Sequence, residues 1–181
     1  GAECAKELAS KGLNIIGLYM RSPKDKINQL VEDITSHKVK ANLIKMNACN
    51  YDKMNDLLLS DVFNGITIKT FIHSLAFGSM KPFITNTDNQ INKKNIEMTL
   101  DVMSNSIIYW TQHLYNNNFF IDGSQIIGMT SAGGRKQWPS YGAVSMAKSA
   151  LESACRQLSV ELASSNIAVN TIQAGVTDTP A

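Results

Sequence analysis

The sequence predicts an α/β fold, a parallel sheet with helices packed on both faces. Two observations predict it. Short apolar runs bounded by turn residues alternate with amphipathic stretches of helical period along the whole chain. No repeat, low-complexity run or linker interrupts the alternation. Parallel neighbours need crossover connections, and a helix after each strand supplies them. With 181 residues, 44% hydrophobic and 18% charged, the chain suits one globular domain with a substantial core.

Residues 2–11 form the first helix, with Cys4, Ala5 and Leu8 on one stripe and Lys11-Gly12 as its stop. Asn14–Met20 is a continuous apolar run, suited to a strand covered on both faces. Pro23 opens a second helix with Ile27, Leu30, Val31 and Ile34 on one side. Val39–Met46 reads as a strand, and Asp52–Phe63 as a helix with Met54, Leu57 and Leu58 inward. Thr67–His73 is a strand and Leu75–Pro82 a loop. Helical period returns over residues 92–117 through Leu100, Met103, Ile107, Trp110 and Leu114. Ser124–Met129 is a strand, Ser140–Ser164 a helix behind Pro139, and Ile167–Ile172 the last strand. Ligands of such sheets bind beyond the carboxyl ends of the strands. The loops after Met20, Met46, His73, Met129 and Ile172 are therefore expected to line one crevice.

Composition excludes several classes. A net charge of +2 with scattered basic residues makes no nucleic-acid surface. Cys4, Cys49 and Cys155 lack metal-ligand spacing, and an odd number makes no disulfide framework. They read as reduced, small apolar side chains of a cytoplasmic or organelle-interior protein. No apolar run is long enough to span a bilayer, and no signal peptide is visible. The chain opens inside a helix without a preceding strand and stops after a strand and turn, so both ends are expected to lie within a larger domain.

The chemistry concentrates in Trp138–Leu151, where Tyr141 and Lys148 stand seven residues apart. On a helix that is two turns, about 10 Å along the axis, at nearly the same angle. An ammonium near a phenol favours the phenolate, which suits Tyr141 to proton donation near neutral pH. Taken alone, the pair fits better a half-exposed tyrosine and a snorkelling lysine on an amphipathic helix. Arg21-Ser22, with Lys24 close by, follows the Asn14–Met20 strand and offers a guanidinium fork, a hydroxyl and an ammonium. All three suit a phosphate, so in a dinucleotide fold this turn favours NADPH over NADH. Its plainer reading is a solvated basic turn.

Several motifs stand in a telling order: His73-Ser74-Leu75-Ala76, Asp101-Val102-Met103-Ser104, Thr130-Ser131-Ala132, Tyr141-x6-Lys148 and Ala174-Gly175-x-x-x-Thr179. Together they resemble the short-chain dehydrogenase/reductase superfamily, in its enoyl-acyl-carrier-protein reductase branch. Ordinary members place Tyr four residues before Lys and a relay Asn in the preceding long helix; those positions here are Val144 and Met103. Only the wider Tyr-x6-Lys pairing of the enoyl reductases remains.

The resemblance implies a doubly wound Rossmann sheet, with residues 1–181 a single, partial dinucleotide-binding domain. The first strand with its Gly-rich turn, and the C-terminal lid and last strand, are expected outside the chain, and Gly1 is the last Gly of that fingerprint. The implied activity is reduction of the 2,3 double bond of trans-2-enoyl thioesters, carried by acyl-carrier protein or coenzyme A. Tyr141 hydrogen-bonds the thioester oxygen, Lys148 holds the nicotinamide ribose, and Ser131 orients the substrate where many enoyl reductases have a second Tyr. Asn47 faces the adenine, and Ser74, Leu75 and Ala76 lie along the cofactor. Gly175 and the amide of Thr177 approach the nicotinamide, and Thr179 a phosphate. His73 is expected to be structural. Small residues at Ala143, Ala147, Ala150 and Ala154, with Trp110 on the long helix, suggest a homodimer or homotetramer; their alternative use is packing inside one subunit. A ketone reductase of the same superfamily and a non-catalytic dinucleotide-fold binding protein stay open as rivals.

Overall fold

The structure, a computed structural model, describes residues 1–175. Contacts divide the chain into two compact units, Gly1–Asn64 and the residues from Gly65 on. The single domain expected from the sequence stays a proposal beside that division.

In the first unit, α1 (Ala2–Ser10), β1 (Ile15–Tyr19), α2 (Lys24–Thr35), β2 (Ala41–Lys45) and α3 (Tyr51–Leu58) follow in order. β1 and β2 pair in parallel from Ile15↔Ala41 to Tyr19↔Lys45. The helical stripes meet as their spacing requires: Ala9 of α1, Ile15 of β1 and Ile34 of α2 form a buried core, with Ala5, Leu8 and Leu30 packed on it. The Asp52–Phe63 stretch is two pieces. Asn50 caps α3 by accepting from the Lys53 amide at 3.0 Å, and a separate 3₁₀ turn covers Asp61–Phe63.

In the second unit, β3 (Ile68–His73), α4 (Lys93–Leu100), α5 (Ser106–Asn116), β4 (Phe120–Ser131), α6 (Gly142–Glu161) and β5 (Ala168–Ala174) build a parallel sheet of order β3-β4-β5. Ile107, Ile126, Leu151, Cys155, Leu158, Ile167 and Val169 are its core. β4 begins four residues earlier than its apolar run because Ser124 repairs the pairing around Gly123. Its buried hydroxyl donates to the Ile68 carbonyl at 2.7 Å and accepts from the Ile121 amide at 2.9 Å.

Two further sequence expectations need correction. The 92–117 helix is interrupted by a π turn over Asp101–Asn105, which the 3–4 spacing of apolar residues does not reveal. The Tyr/Lys helix starts at Gly142, not Ser140. Ser140 has φ +62° behind Pro139, and the Tyr141 amide closes the turn on the Trp138 carbonyl at 3.1 Å. Proline at the second position and positive φ at the third suit a type II turn. Pro139 thus shapes that turn, and Tyr141 becomes the residue that caps the helix.

Each unit carries its own parallel ladder, β1-β2 in the first and β3-β4-β5 in the second. Among the described residues no helix is long and apolar enough to cross a membrane.

Candidate active site

Each parallel ladder sends its loops out at one end. In the first unit, Arg21 and Ser22 occupy the exposed turn after β1, and Asn47 the turn after β2. Asn47 is partly committed: its side-chain oxygen accepts from the Cys49 amide at 3.0 Å. Gly1 caps α1, its carbonyl accepting from the Ala5 amide at 3.0 Å.

In the second unit, His73 pairs with Gly128 and Ser131 with Ala174, so the segments from Ser74, Ala132 and Gly175 leave the sheet at the same end. Thr177 and Thr179 lie outside the described residues. Lys148, in the second turn of α6, reaches this end. Only 5% exposed, it donates from Nζ to the Met129 carbonyl at 2.7 Å and the Leu75 carbonyl at 3.4 Å. The Leu75 contact brings Lys148 to the Ser74–Ala76 segment. Burial lowers the pKa of its ammonium from 10.5 to about 8. An ammonium has three donors, so a third N–H remains for a hydroxyl, and this donor set fits a ribose.

Tyr141 is half-buried and lines a cleft of ≈ 370 Å³ with Pro82, Phe83, Trp138 and Met146 among its walls. Trp138 meets the phenol ring edge-on, with ring centres 5.4 Å apart. Below the ring lies the 3₁₀ turn Ala132–Gly134. A Cβ on Gly133 would collide with the Tyr141 and Trp138 rings, so only glycine gives this phenol its seat. Phe83 lies equally close over Gly142, where a Cβ would come within 2.5 Å of its ring. Ser131 precedes the turn and caps it, accepting from the Gly133 amide at 3.2 Å while keeping its own hydroxyl proton to donate.

Met103 and Val144 are packed together. With Ala147 they form a buried apolar cluster against which Tyr141 leans. Gly78 fits tightly over it, since a Cβ there would meet Met103 Sδ at 2.9 Å and Val144 at 3.0 Å. Hydrocarbon and sulfur fill this spot. Of the small-residue stripe, Ala143 and Ala147 are buried within this chain, as is Trp110.

His73 is structural, as expected, and its surroundings specify how. Ser106 Oγ donates to the Val102 carbonyl at 2.9 Å, beside the π turn, so His73 Nε2 donates to Ser106 Oγ at 2.8 Å. Nδ1 is left as a buried acceptor without a partner. Desolvation, and secondarily the Lys148 charge, lower the ring's pKa from 6.5 to about 4. Above pH 6.5 the ring is neutral whether folded or unfolded. Between 6.5 and 4 the unfolded chain takes up a proton that the folded one refuses, so about 3 kcal/mol of stability is lost as pH falls through that window. His73→Gln retains an amide donor for Ser106 and does not titrate. Its Tm is expected to decline less between pH 6.5 and 4 than that of the wild type; equal declines would remove His73 from the acid limb.

Sequence reasoning missed Glu152. It is 8% exposed, on the inward stripe Lys148-Leu151-Glu152-Cys155. A carboxylate at apolar helical spacing was the available clue. Its Oε1 accepts from Thr130 Oγ1 at 2.8 Å, and its Oε2 meets Arg135 Nη2 at 3.4 Å.

The family model described as enoyl-(acyl carrier protein) reductase matches residues 1–181. Among curated proteins, the chain is similar to the enoyl-[acyl-carrier-protein] reductase [NADH] FabI of Enterococcus faecalis, 28% identical over an alignment of 181 positions that covers 97% of this chain and 67% of that protein. It spans about two thirds of the length of the first such relatives. Among solved structures, a short-chain dehydrogenase/reductase mutant of Serratia marcescens superposes with a TM-score of 0.87 at 20% identity, covering 99% of this chain and 71% of that one. The enoyl-[acyl-carrier-protein] reductase (NADH) of Aquifex aeolicus does so with 0.78 at 22% identity, over 97% of this chain and 67% of that one. The chain therefore belongs to the enoyl-(acyl carrier protein) reductase family of short-chain dehydrogenases/reductases, and with it to the nicotinamide-dependent oxidoreductases.

Proposed function

We propose that the protein reduces the 2,3 double bond of a trans-2-enoyl thioester of acyl-carrier protein, the enoyl reductase step of fatty acid synthesis. The observation that carries this reading is Tyr141 in the wall of the open cleft, at the cap of the helix that carries the buried Lys148. Met103 and Val144 leave no polar group at the ordinary positions, while Tyr141, three residues earlier than the ordinary Tyr, faces the open cleft.

A bound reduced nicotinamide dinucleotide supplies the hydride for C3 of the substrate. Tyr141 donates a hydrogen bond to the thioester oxygen as enolate charge develops on it, stabilisation that acts mainly in the transition state. Ser131 aims its remaining proton at the same oxygen. Lys148 holds the ribose hydroxyls with its third N–H. Pro82, Phe83, Trp138 and Met146 seat the acyl chain and keep water from it. By the family resemblance, Gly175 and Thr177 are proposed for the nicotinamide, Thr179 for a phosphate, Gly1 for the pyrophosphate, and Arg21, Ser22 and Asn47 for the adenosine.

For the cofactor, the basic turn at Arg21 supports NADPH, whereas the relatives' names print NADH and give that preference no support. The ratio of kcat/KM for the two dinucleotides decides. A homodimer or homotetramer belongs to the same proposal, its support now reduced to the partly exposed Ala150 and Ala154, as does cytoplasmic placement. Oxidation of reduced dinucleotide with crotonyl but not acetoacetyl thioesters is the expected result for the full-length protein. The reverse preference makes it a ketone reductase, and binding of the dinucleotide without turnover a non-catalytic module.

A further inference from the structure

We infer that Glu152 is a positioning residue, a buried carboxylate that fixes the Ser131–Arg135 turn and, through it, the seat of the Tyr141 phenol. Its catalytic consequence rests on the function proposed above. Burying a carboxylate is costly unless its oxygens are hydrogen-bonded, and both of Glu152's are. What matters is where the partners come from. Thr130, itself 7% exposed, is the residue before Ser131 at the end of β4; Arg135 follows the 3₁₀ turn. One α6 carboxylate thus holds the turn at both ends, and Ser149 Oγ adds a bond to the Gly134 carbonyl at 2.7 Å. The turn lies close on that helix face: a Cβ on Gly134 would stand 3.4 Å from Glu152 Oε1 and 3.5 Å from Lys148 Cβ. Its other side, at Gly133, is the floor under Tyr141 and Trp138. The turn is a wedge between the phenol and the lysine-bearing face of the helix, and Glu152 holds the wedge in place. Arg135 is 75% exposed along its side chain, so the buried Thr130 bond is the larger contribution.

The test uses the full-length protein with Thr130→Val, which removes the buried donor at nearly constant shape, and Glu152→Gln, which keeps an oxygen to accept it. Trp138 is one of two tryptophans, so in a Trp110→Phe background its emission reports the wedge without any turnover. Thr130→Val is expected to lower kcat at least tenfold, leave the KM for dinucleotide within about twofold, and shift the Trp138 emission. Glu152→Gln is expected to stay within threefold of the wild type in kcat, with little emission change. Unchanged kcat and emission in folded Thr130→Val overturn the inference, as does a Glu152→Gln defect equal to that of Thr130→Val. If the wild type reduces no enoyl thioester, the proposed function fails separately, and an unshifted emission in Thr130→Val still overturns the positioning role.

Discussion

Lys148→Met is expected to raise the stability of the protein while abolishing its turnover. The lysine is buried, and among the described residues it makes no ion pair; its ammonium is satisfied by two carbonyls. Burial alone lowers its pKa from 10.5 to about 8, which corresponds to about 3 kcal/mol of destabilisation wherever the group stays protonated. Methionine matches the stem in volume, removes that cost and loses hydrogen bonds worth about 1 kcal/mol, so a net gain of about 1–2 kcal/mol is expected. The pH dependence gives a second reading. Between pH 8 and 10.5 the unfolded wild type binds a proton that the folded one has released, so its stability rises across this window through Lys148. Cys155 works in the opposite direction. Burial first, then Glu152, raises its thiol from 9.0 to about 11, and that contribution is lost as pH rises through the interval. Both proteins keep the cysteine, so the difference between wild-type and Lys148→Met melting curves isolates the lysine. Stability of the variant below the wild type at pH 7 would show that the ammonium is held by attractions stronger than its two carbonyl contacts. Turnover is expected to fall at least 100-fold, with the dinucleotide KM rising, because the ribose donor is gone.

The elements were legible wherever one face decides burial. Ala9, Ile34, Met54, Ile107 and Leu151 all lie in the interior, and each stands at helical spacing within its stretch. The ends and irregularities were not. Nothing in the pattern announces that Ser140 adopts positive φ and moves Tyr141 from the first helical turn to its cap. The π turn is equally silent, because an apolar stripe at 3–4 spacing tolerates one extra residue. In the site, Lys148 was readable from its distance to Tyr141 and its place after β4. The depth of its burial was not, since a snorkelling lysine has the same spacing. Glu152 and the Gly133 wedge act through contacts between β4 and α6, which sequence spacing on one element does not encode.

Tyr141→Phe separates chemistry from architecture more cleanly than any other substitution in this site. The phenyl ring keeps the edge-on contact with Trp138 and the seat against Gly133, so the fold and the cleft are retained and Tm is expected to move by no more than about 2 °C. What is removed is one oxygen and its proton. If that proton stabilises charge on the thioester oxygen, kcat falls about 100- to 1,000-fold, the range for losing one preorganised donor to a developing oxyanion. The dinucleotide KM stays within about twofold, because Lys148 and the Leu75 and Met129 carbonyls that hold it are untouched. This split, a lost kcat with retained cofactor affinity and retained stability, is the reverse of that expected for Lys148→Met, where stability rises and cofactor affinity falls. Measuring both variants with crotonyl thioester therefore tests a division of labour along one helix: a phenol at its cap for the substrate oxygen, an ammonium in its second turn for the ribose. Wild-type turnover in Tyr141→Phe would remove the phenol from the chemistry, and the assignment of this helix to enoyl reduction would have to be abandoned.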